Sequence, residues 1–416
     1  MKVVFVNTYG KDGGAGRAAF RLLNGLIRIN TQGKMIAQST SNVDPLIISP
    51  QNFTSRQMAK IKGRFDSKLI KLMYRKQRGL FSTNFLPDKI YDKFVKLNPE
   101  IIHLHWISSN FIRIESLKLF IKPIIWTLHD MWPFTGGCHY DFFCGKYESE
   151  CGKCPTLMSQ KELDLSRWVL NRKLQAWQDL DLIIITPSTW LGRCARKSHV
   201  FRNKKVFVIP NGIDLQIFRP YDKQKVRSEL SLPQDNKIIL FGALKSLKNA
   251  RKGFKFIKPL IESISSLKPK NKIELLIFGA SQSALPFQLS VKTRFLGHVN
   301  DDKALAKIYS AADVFIAPSI QDNLPNTVLE ATACGTPSVS FNTGGVSDII
   351  KHKRTGYLAQ PFNISDLVKG VEWVLNANNH GNDFLRQCRK QVERKFNINI
   401  VAQEYSKLYE KIVGQR

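Results

Sequence analysis

Short apolar runs alternate with amphipathic segments along most of the chain. The apolar runs have the length and the β-branched content of buried strands. The segments between them repeat apolar residues at helical spacing, as residues 15–27 do. This alternation predicts an α/β fold with parallel sheets. Strands are expected at residues 2–7, 35–38, 101–105, 123–128, 182–186, 206–209, 237–241, 272–278, 293–296, 314–316 and 338–341.

The length of the chain, 416 residues, exceeds what one hydrophobic core usually supports. We therefore expect two Rossmann-like domains, residues 1–208 and 209–396, with a linker that begins at Pro210. No apolar run approaches the ~20 residues that span a bilayer. The first residues resemble a strand rather than a signal peptide, so we expect a cytoplasmic protein.

The formal net charge of +30 favours contact with polyanions such as nucleic acid, anionic lipid or phosphorylated substrates. Residues 56–80 hold nine Lys or Arg and one Asp, with apolar residues at near-helical spacing. This segment is either a basic amphipathic helix on a membrane surface or a solvated helix packed on the first sheet. Nucleic-acid binding is suggested by charge alone, because the segment has no recognisable nucleic-acid module.

Two carboxylates, Asp322 and Glu330, lie eight positions apart around a predicted helix. Asn323 can cap this helix, Pro325 fits its first turn, and Gly335 fits its end, which gives about ten residues. The N–H groups at the start of a helix form an anion site. An anion site flanked by carboxylates suits a ligand with a diphosphate and several hydroxyls, as a nucleotide sugar has.

In the first half, two kinds of residue follow predicted strands. Gly13, Gly14 and Gly16 follow the first strand, where close backbone approach to a ligand is possible, although a flexible loop is the alternative. Their spacing is not that of a dinucleotide-binding loop. His105 and His129 end two consecutive strands, where an imidazole can bind a sugar hydroxyl or phosphate or move a proton. A purely structural role is the alternative for each.

In the second half, Arg251 and Lys252 precede Gly253 at the start of a predicted helix. A lysine in this position can bind a diphosphate as a point charge. A surface basic cluster is the alternative, because several other lysines lie nearby in sequence.

Four motifs resemble those of the family-4 retaining glycosyltransferases, which have the GT-B fold. They are the run from Val208 to Asp214, the run from Ser310 to Ser319, the Asp322 to Glu330 segment, and Gly344-Gly345. The resemblance implies two Rossmann-like domains that face each other across a cleft. It also implies that the last helix, residues 397–416, crosses back to the first domain.

The resemblance also assigns roles to residues. Glu330 would bind the ribose hydroxyls, and Asp322 a hydroxyl of the transferred sugar. The backbone from Asn323 to Thr327 would hold the diphosphate, and the residues of this donor-binding turn are Asn323, Leu324, Pro325, Asn326 and Thr327. His105 matches the catalytic-site histidine, and Gly14 the glycine loop. Lys252 matches the family lysine, whereas Ala243 replaces the family arginine, for which Arg251 is the candidate substitute.

The resemblance implies a metal-independent, retaining transfer from a nucleotide-diphosphate sugar to a hydroxyl of a glycan or lipid-linked acceptor. His105, Asp322 and Lys252 would act in catalysis, while Gly13, Gly16 and His129 would face the acceptor. The expected setting is bacterial surface polysaccharide synthesis at the inner face of the membrane. A nucleotide-sugar epimerase or a phosphorylase on the same fold is the alternative.

Four of the seven cysteines lie close together in sequence: Cys138, Cys144, Cys151 and Cys154. Because disulfides are rare in cytoplasmic proteins, a structural zinc ion held by four thiolates is the hypothesis. Four unlinked thiols in a loop are the alternative.

Overall fold

The computed structural model describes residues 1–41, 43–242, 249–266, 272–280, 288–377 and 383–414. The chain divides into two compact units. Met1–Gly212 and Ile398–Arg416 form the first, and Ile213–Asn397 forms the second. The division falls near the boundary expected after residue 208, and it assigns the last helix to the first unit. Both units are α/β with parallel sheets, as the sequence predicted.

The first unit contains a seven-stranded sheet in the order β3-β2-β1-β4-β5-β6-β7. Its strands are β1 (Lys2–Val6), β2 (Gln32–Ile36), β3 (Ile47–Ile48), β4 (Ile101–Leu104), β5 (Ile124–Thr127), β6 (Leu182–Thr186) and β7 (Lys205–Val208). Its helices up to this point are α1 (Gly13–Arg28), α2 (Phe53–Met73), α3 (Ile90–Leu97), α4 (Leu165–Trp177) and α5 (Thr189–Lys197). Every residue of the central strands β4, β5 and β6 is buried, as expected for a parallel sheet covered on both faces.

The second unit contains a six-stranded parallel sheet in the order β10-β9-β8-β11-β12-β13. The strands are β8 (Lys237–Gly242), β9 (Ile273–Phe278), β10 (Lys292–Phe295), β11 (Val314–Ala317), β12 (Ser338–Phe341) and β13 (Gly356–Ala359). The helices are α6 (Lys223–Glu229), α7 (Ile257–Ser266), α8 (Asp302–Ala311), α9 (Asn326–Ala333), α10 (Ile364–Ala377) and α11 (Asp383–Lys395).

The last helix, α12 (Ile398–Gly414), packs against α1 and the first sheet. Tyr405 and Tyr409 of α12 are buried in the same hydrophobic cluster as Val3 and Phe5 of β1. Gly25 of α1 allows the close approach, because a Cβ at this position would lie 2.9 Å from Ile398 Cγ1. The C-terminal segment is therefore part of the core of the first unit.

Helix α2 leaves its apolar side chains in solvent. Only Asp66 and Ile70 of its 21 residues are buried, whereas Met58, Ile61 and Leu72 are 66, 58 and 71% exposed. The predicted helix is therefore present, but it does not pack its apolar face on the sheet. In the described part of the chain, no helix has the length and apolarity needed to cross a membrane.

Candidate functional site

The sheet topology of the first unit brings its predicted site residues to one edge. Strands β1, β4 and β5 are parallel neighbours, so their carboxyl ends lie side by side. The glycine segment follows β1, while His105 and His129 directly follow β4 and β5. Residues that are far apart in sequence therefore share this edge of the sheet.

His105 and His129 form a hydrogen-bonded pair, with 2.9 Å between His105 Nδ1 and His129 Nε2. His105 is buried, only 2% exposed, and stacks on Phe5, whereas His129 is half-buried. Within the described residues, His105 Nε2 has no hydrogen-bond partner. Burial lowers the pKa of His129 to about 4 and that of His105 well below its usual range. Both rings are therefore neutral at pH 7, and His129 is the one that reaches the surface.

Two tyrosines of α12 support this pair from inside the core. Tyr409 Oη lies 2.6 Å from Nδ1 of His103, and the other nitrogen of that ring is 2.8 Å from Thr127 Oγ1. Tyr405 Oη lies 2.9 Å from the same threonine hydroxyl. The His103 ring packs against His105 with 4.2 Å between centroids. The last helix therefore orients the ring of His103, which packs against His105. The sequence analysis missed this support.

A second buried network connects the loops that follow β4 and β5. His139 Nδ1 lies 2.7 Å from Asp130 Oδ2, and His139 Nε2 lies 3.0 Å from Ser82 Oγ. Trp106 Nε1 donates to the same Asp130 oxygen at 2.7 Å. A hydrogen-bonded Ser-His-Asp arrangement also occurs in catalytic triads. Here Ser82 and His139 are both buried, so a substrate would not reach the serine hydroxyl. We conclude that the network fixes the positions of these loops. In the sequence, only the position of Asp130 next to His129 pointed to it.

The glycine segment forms the start of α1. Gly16 is required sterically, because a Cβ there would lie 2.5 Å from the carbonyl oxygen of Gly10. Gly13 has a φ of +73°, and a Cβ there would meet open space. Gly14 is exposed. The carboxylate of the N-cap residue Asp12 binds Ser41 and does not cap the helix, so the start of α1 is accessible.

In the second unit, Arg251 and Lys252 contact the same carboxylate. Asp322 Oδ2 lies 2.6 Å from Lys252 Nζ and 3.0 Å from Arg251 Nη1. Arg251 also donates to the carbonyl oxygen of Gln321 at 2.8 Å. Arg251 and Lys252 lower the pKa of Asp322 strongly, against the opposing effect of burial. Burial lowers the pKa of Lys252, which Asp322 partly offsets.

These contacts bring together three residues that the sequence singled out separately. Ala243, which stands in place of the family arginine, lies outside the described residues.

Helix α9 begins later than the sequence predicted. Its first residue is Asn326 and its N-cap is Pro325, so the prediction that Asn323 caps it is wrong. The physical reason is Pro325, which disfavours helical backbone angles at Leu324 and is itself extended, with a φ of −68° and a ψ of 108°. The N-cap residue Pro325 makes no side-chain capping hydrogen bond, and Asn326 and Thr327 of the first turn are half-buried, while Leu324 and Pro325 are buried. The predicted end is confirmed, because Gly335 has a φ of +78° just beyond the helix.

Glu330 lies in α9 and is buried, with 2% of its surface exposed. Its Oε2 accepts a hydrogen bond from Tyr309 of α8 at 3.1 Å. Asp322 lies in the preceding loop and is fixed by Gly344-Gly345. The Gly345 N–H donates to the Asp322 carbonyl at 2.9 Å, and a Cβ on Gly344 would lie 1.9 Å from that oxygen. The two acids therefore occupy different settings, one in a loop beside cations and one inside a helix.

The four clustered cysteines line one small cavity of about 10 Å³ in the first unit. This is about the space of one water-sized sphere. Backbone N–H groups of Lys146, Gly136 and Thr156 bond to the sulfurs of Cys144, Cys151 and Cys154, respectively. Burial raises the pKa of Cys151 to about 12, so without a cation this thiol is neutral. Among the described residues, no group of three or more Cys, His, Asp or Glu side chains has the arrangement of a metal site. The zinc site therefore stays a prediction.

Two family models match the chain. The model described as Glycosyltransferase Family 4 matches residues 13–217, and the model described as Glycosyl transferases group 1 matches residues 222–392. An uncharacterized glycosyltransferase from Methanocaldococcus jannaschii is 28% identical over 324 residues, which are 74% of this chain and 75% of that protein. Further relatives align over only 36 to 61% of their own length.

Solved glycosyltransferase structures share the fold. Sucrose-phosphate synthase from Thermosynechococcus elongatus has a TM-score of 0.73 and 19% identity over 100% of both chains. Anabaena HepE, solved in complex with UDP-glucose, has a TM-score of 0.66 and 14% identity over 99% of this chain and 100% of its own. These similarities confirm the expected GT-B fold of two Rossmann-like domains.

Proposed function

The chain belongs to glycosyltransferase family 4, the group 1 glycosyl transferases, and we propose that it moves a sugar from a nucleotide-diphosphate sugar to a hydroxyl of a glycan or lipid-linked acceptor. The observation that carries the proposal is the contact of Arg251 and Lys252 with Asp322, which lies just before the start of α9. A diphosphate needs cations and N–H donors, and a sugar needs an acceptor of hydroxyl hydrogens.

Different residues bind different parts of the donor. Arg251, Lys252 and the N–H groups near the start of α9 bind the diphosphate, and Asp322 accepts a hydrogen bond from a hydroxyl of the transferred sugar. Glu330 binds the ribose, with its carboxylate oriented by Tyr309. HepE, which shares the fold, was solved with UDP-glucose, and this supports a nucleotide-sugar donor.

The proposed transfer retains the configuration of the sugar. The acceptor hydroxyl oxygen forms a bond to C1 on the face from which the diphosphate leaves, while the bond from C1 to the diphosphate oxygen breaks. The acceptor proton passes to the departing oxygen. Lys252 and Arg251 stabilise the negative charge that develops there, which is electrostatic preorganisation and needs no metal ion.

The strand-end histidines of the first unit bind and orient the acceptor in this proposal. His129 is neutral and reaches the surface, so it can donate a hydrogen bond to a hydroxyl without adding charge. His105 lies beneath it and fixes the ring through the bond between the two imidazoles. We therefore give His129 the substrate contact and His105 the positioning role.

The acceptor is proposed to be lipid-linked, at the inner face of a bacterial membrane, in the synthesis of a surface polysaccharide. The net charge of +30 and the exposed apolar side chains of α2 support this setting.

A panel of nucleotide sugars and nucleoside diphosphates tests the proposal by thermal shift. A ligand at 100 times its dissociation constant stabilises the native state by about 2.7 kcal/mol, which is readily detected. We expect one nucleoside diphosphate and its sugar conjugates to shift the unfolding temperature. Turnover of a nucleotide sugar without any acceptor, to an epimer, would instead favour the epimerase. No shift with any nucleoside diphosphate would contradict the proposal.

A further inference from the structure

An apolar groove lies beside α2 in the first unit, and the donor chemistry proposed above does not use it. Its volume is about 480 Å³, within the ~300–1,000 Å³ typical of small-molecule sites. The apolar side chains along it come from α2, from the first turn of α3 and from four loop segments. They include Met58, Ile61, Phe65, Leu86, Ile90 and Phe111.

The α2 side of this groove is open to solvent. Met58, Ile61 and Phe65 share one face of the helix, and each is 45% exposed or more. A helix on a soluble domain normally turns its apolar face toward the core. A contiguous exposed apolar face therefore indicates a surface that binds something apolar.

The charges along the groove are mainly positive. Its ionisable residues are Lys62, Asp88, Lys89 and Lys93. Burial lowers the pKa of Lys93, and no carboxylate among the described residues opposes this shift. Asp88 already accepts hydrogen bonds from the Arg113 N–H and the Ser116 hydroxyl, each at 2.7 Å. The groove thus combines apolar walls with lysines that an anion can pair with.

The groove also lies at the sheet edge that carries the acceptor-side residues. Ala37 and Gln38, which follow β2, line it, and β2 is the parallel neighbour of β1. Gln38 Nε2 donates to the carbonyl of Ala59 in α2, and Asn110 Nδ2 donates to that of Lys62, each at 3.4 Å. Helix α2 is thereby attached to the loops that follow β2 and β4.

We propose that this groove binds the hydrocarbon chain of a lipid phosphate, with the phosphate paired to Lys93 and Lys89. The inference rests on the proposed function, because it identifies this lipid phosphate as the anchor of the acceptor. The apolar walls select a ligand with a long hydrocarbon chain, and the lysines select an anionic head. A neutral detergent offers only the hydrocarbon chain, and free phosphate offers only the anionic group.

Isothermal titration of the full chain with three probes tests the groove. The probes are dodecyl phosphate below its micelle concentration, inorganic phosphate, and dodecyl maltoside. We expect dodecyl phosphate to bind at least about tenfold more tightly than either of the other two. Equal binding of inorganic phosphate or of the maltoside would overturn the proposal, as would no binding of dodecyl phosphate.

Two variants locate the site. Ala59→Trp fills the groove without changing charge, and Lys93→Gln removes one cation. Each is expected to weaken dodecyl phosphate binding about tenfold. Lys71→Gln, which removes an exposed lysine of α2 that does not line the groove, is expected to bind like the wild type. Unchanged binding in both groove variants would overturn the assignment.

Nucleoside diphosphate titrations of the same samples separate the two proposals. The affinity for nucleoside diphosphates is expected to be the same in the wild type and in all three variants. If dodecyl phosphate binds in the groove while no nucleoside diphosphate binds, the lipid site stands and the acceptor role falls with the proposed function.

Discussion

At the scale of single residues, Asp322 pairs with two cations. Both Lys252 Nζ and Arg251 Nη1 lie within 3.0 Å of one carboxylate oxygen. A diphosphate carries more negative charge than one carboxylate, so it competes for these cations when it binds. Under the proposed function, we expect Asp322 then to accept a hydrogen bond from a sugar hydroxyl.

Lys252→Ala is expected to lower turnover about 100-fold or more, because it removes the cation that pairs with the leaving diphosphate. Steady-state kinetics and circular dichroism measure activity and folding separately. Lys258→Ala is the matched control, since that lysine pairs with Glu262 on the surface of α7. Wild-type turnover in a folded Lys252→Ala protein would contradict the assignment.

The histidine pair predicts a loss of stability in mild acid. The folded-state pKa of His129 is about 4, below the ~6.5 of an unfolded histidine, so the unfolded chain binds more protons between these values. Stability is therefore full above pH 6.5 and falls as pH drops toward 4. One such histidine contributes up to about 1.4 kcal/mol per pH unit. Chemical denaturation at pH 7, 5.5 and 4.5 measures the slope.

His129→Gln removes one proton-binding group and is expected to flatten this dependence. Replacing the exposed residue Lys197 with Gln in α5 is the control, and it should leave the slope unchanged. An identical slope in wild type and His129→Gln would show that His129 is not the group responsible.

Local sequence could identify the polar residues at strand and helix ends, but not the contacts that orient them. Lys252, Asp322, His105 and His129 all follow predicted strands or precede predicted helices. The bond from Tyr409 to His103 joins residues 306 positions apart. Periodicity assigns Tyr409 to a buried helix face, and only the fold shows what its hydroxyl contacts.

At the scale of elements, the contact of α1 with α12 depends on a glycine. A Cβ on Gly25 would lie 2.9 Å from Ile398 Cγ1 and 3.2 Å from Ala402 Cβ. Gly25→Val is expected to destabilise the fold by about 1–3 kcal/mol through overpacking, despite its gain in helix propensity over glycine. Urea denaturation measures this.

The matched control for that experiment is Asn24→Val on the same helix, which changes a half-buried neighbour. Equal stability of both variants would indicate that α12 does not pack as described.

The cysteine loop predicts a bound zinc ion. We expect about one zinc per chain in protein purified without chelator, because four sulfurs and several N–H donors surround one small cavity. Elemental analysis measures it. Cys151→Ser should lower the zinc content, whereas Cys388→Ser, a buried cysteine in α11, should not. Zinc-free wild-type protein would favour four unlinked thiols.

Element boundaries were harder to predict than the elements themselves. The strands β3 and β13 were missed. β3 has only two residues, and β13, with the sequence Gly-Tyr-Leu-Ala, begins at a glycine and has no β-branched residue. The start of α9 was placed too early, because Asn323 and Pro325 have the composition of a helix start. The restriction that Pro325 places on the backbone of Leu324 set the boundary instead.

At the scale of the whole molecule, the two parallel sheets followed directly from the alternation of apolar runs and amphipathic segments. Buried parallel strands are apolar on both faces, so they are visible in sequence without an alignment. The net charge of +30 and the cluster of lysines and arginines in residues 56–80 were visible too, but the groove beside α2 was not. Whether apolar residues of a helix face a core or solvent depends on what the fold places beside them.

The central claim is that the second unit binds a nucleoside diphosphate through Lys252, Arg251 and Asp322. Isothermal titration of UDP, GDP and ADP into the wild type and Lys252→Ala tests it most directly. We predict one site per chain for one of these nucleotides, with affinity reduced about tenfold or more in the variant. Wild-type affinity in the folded variant, or no binding of any nucleoside diphosphate to the wild type, would contradict it.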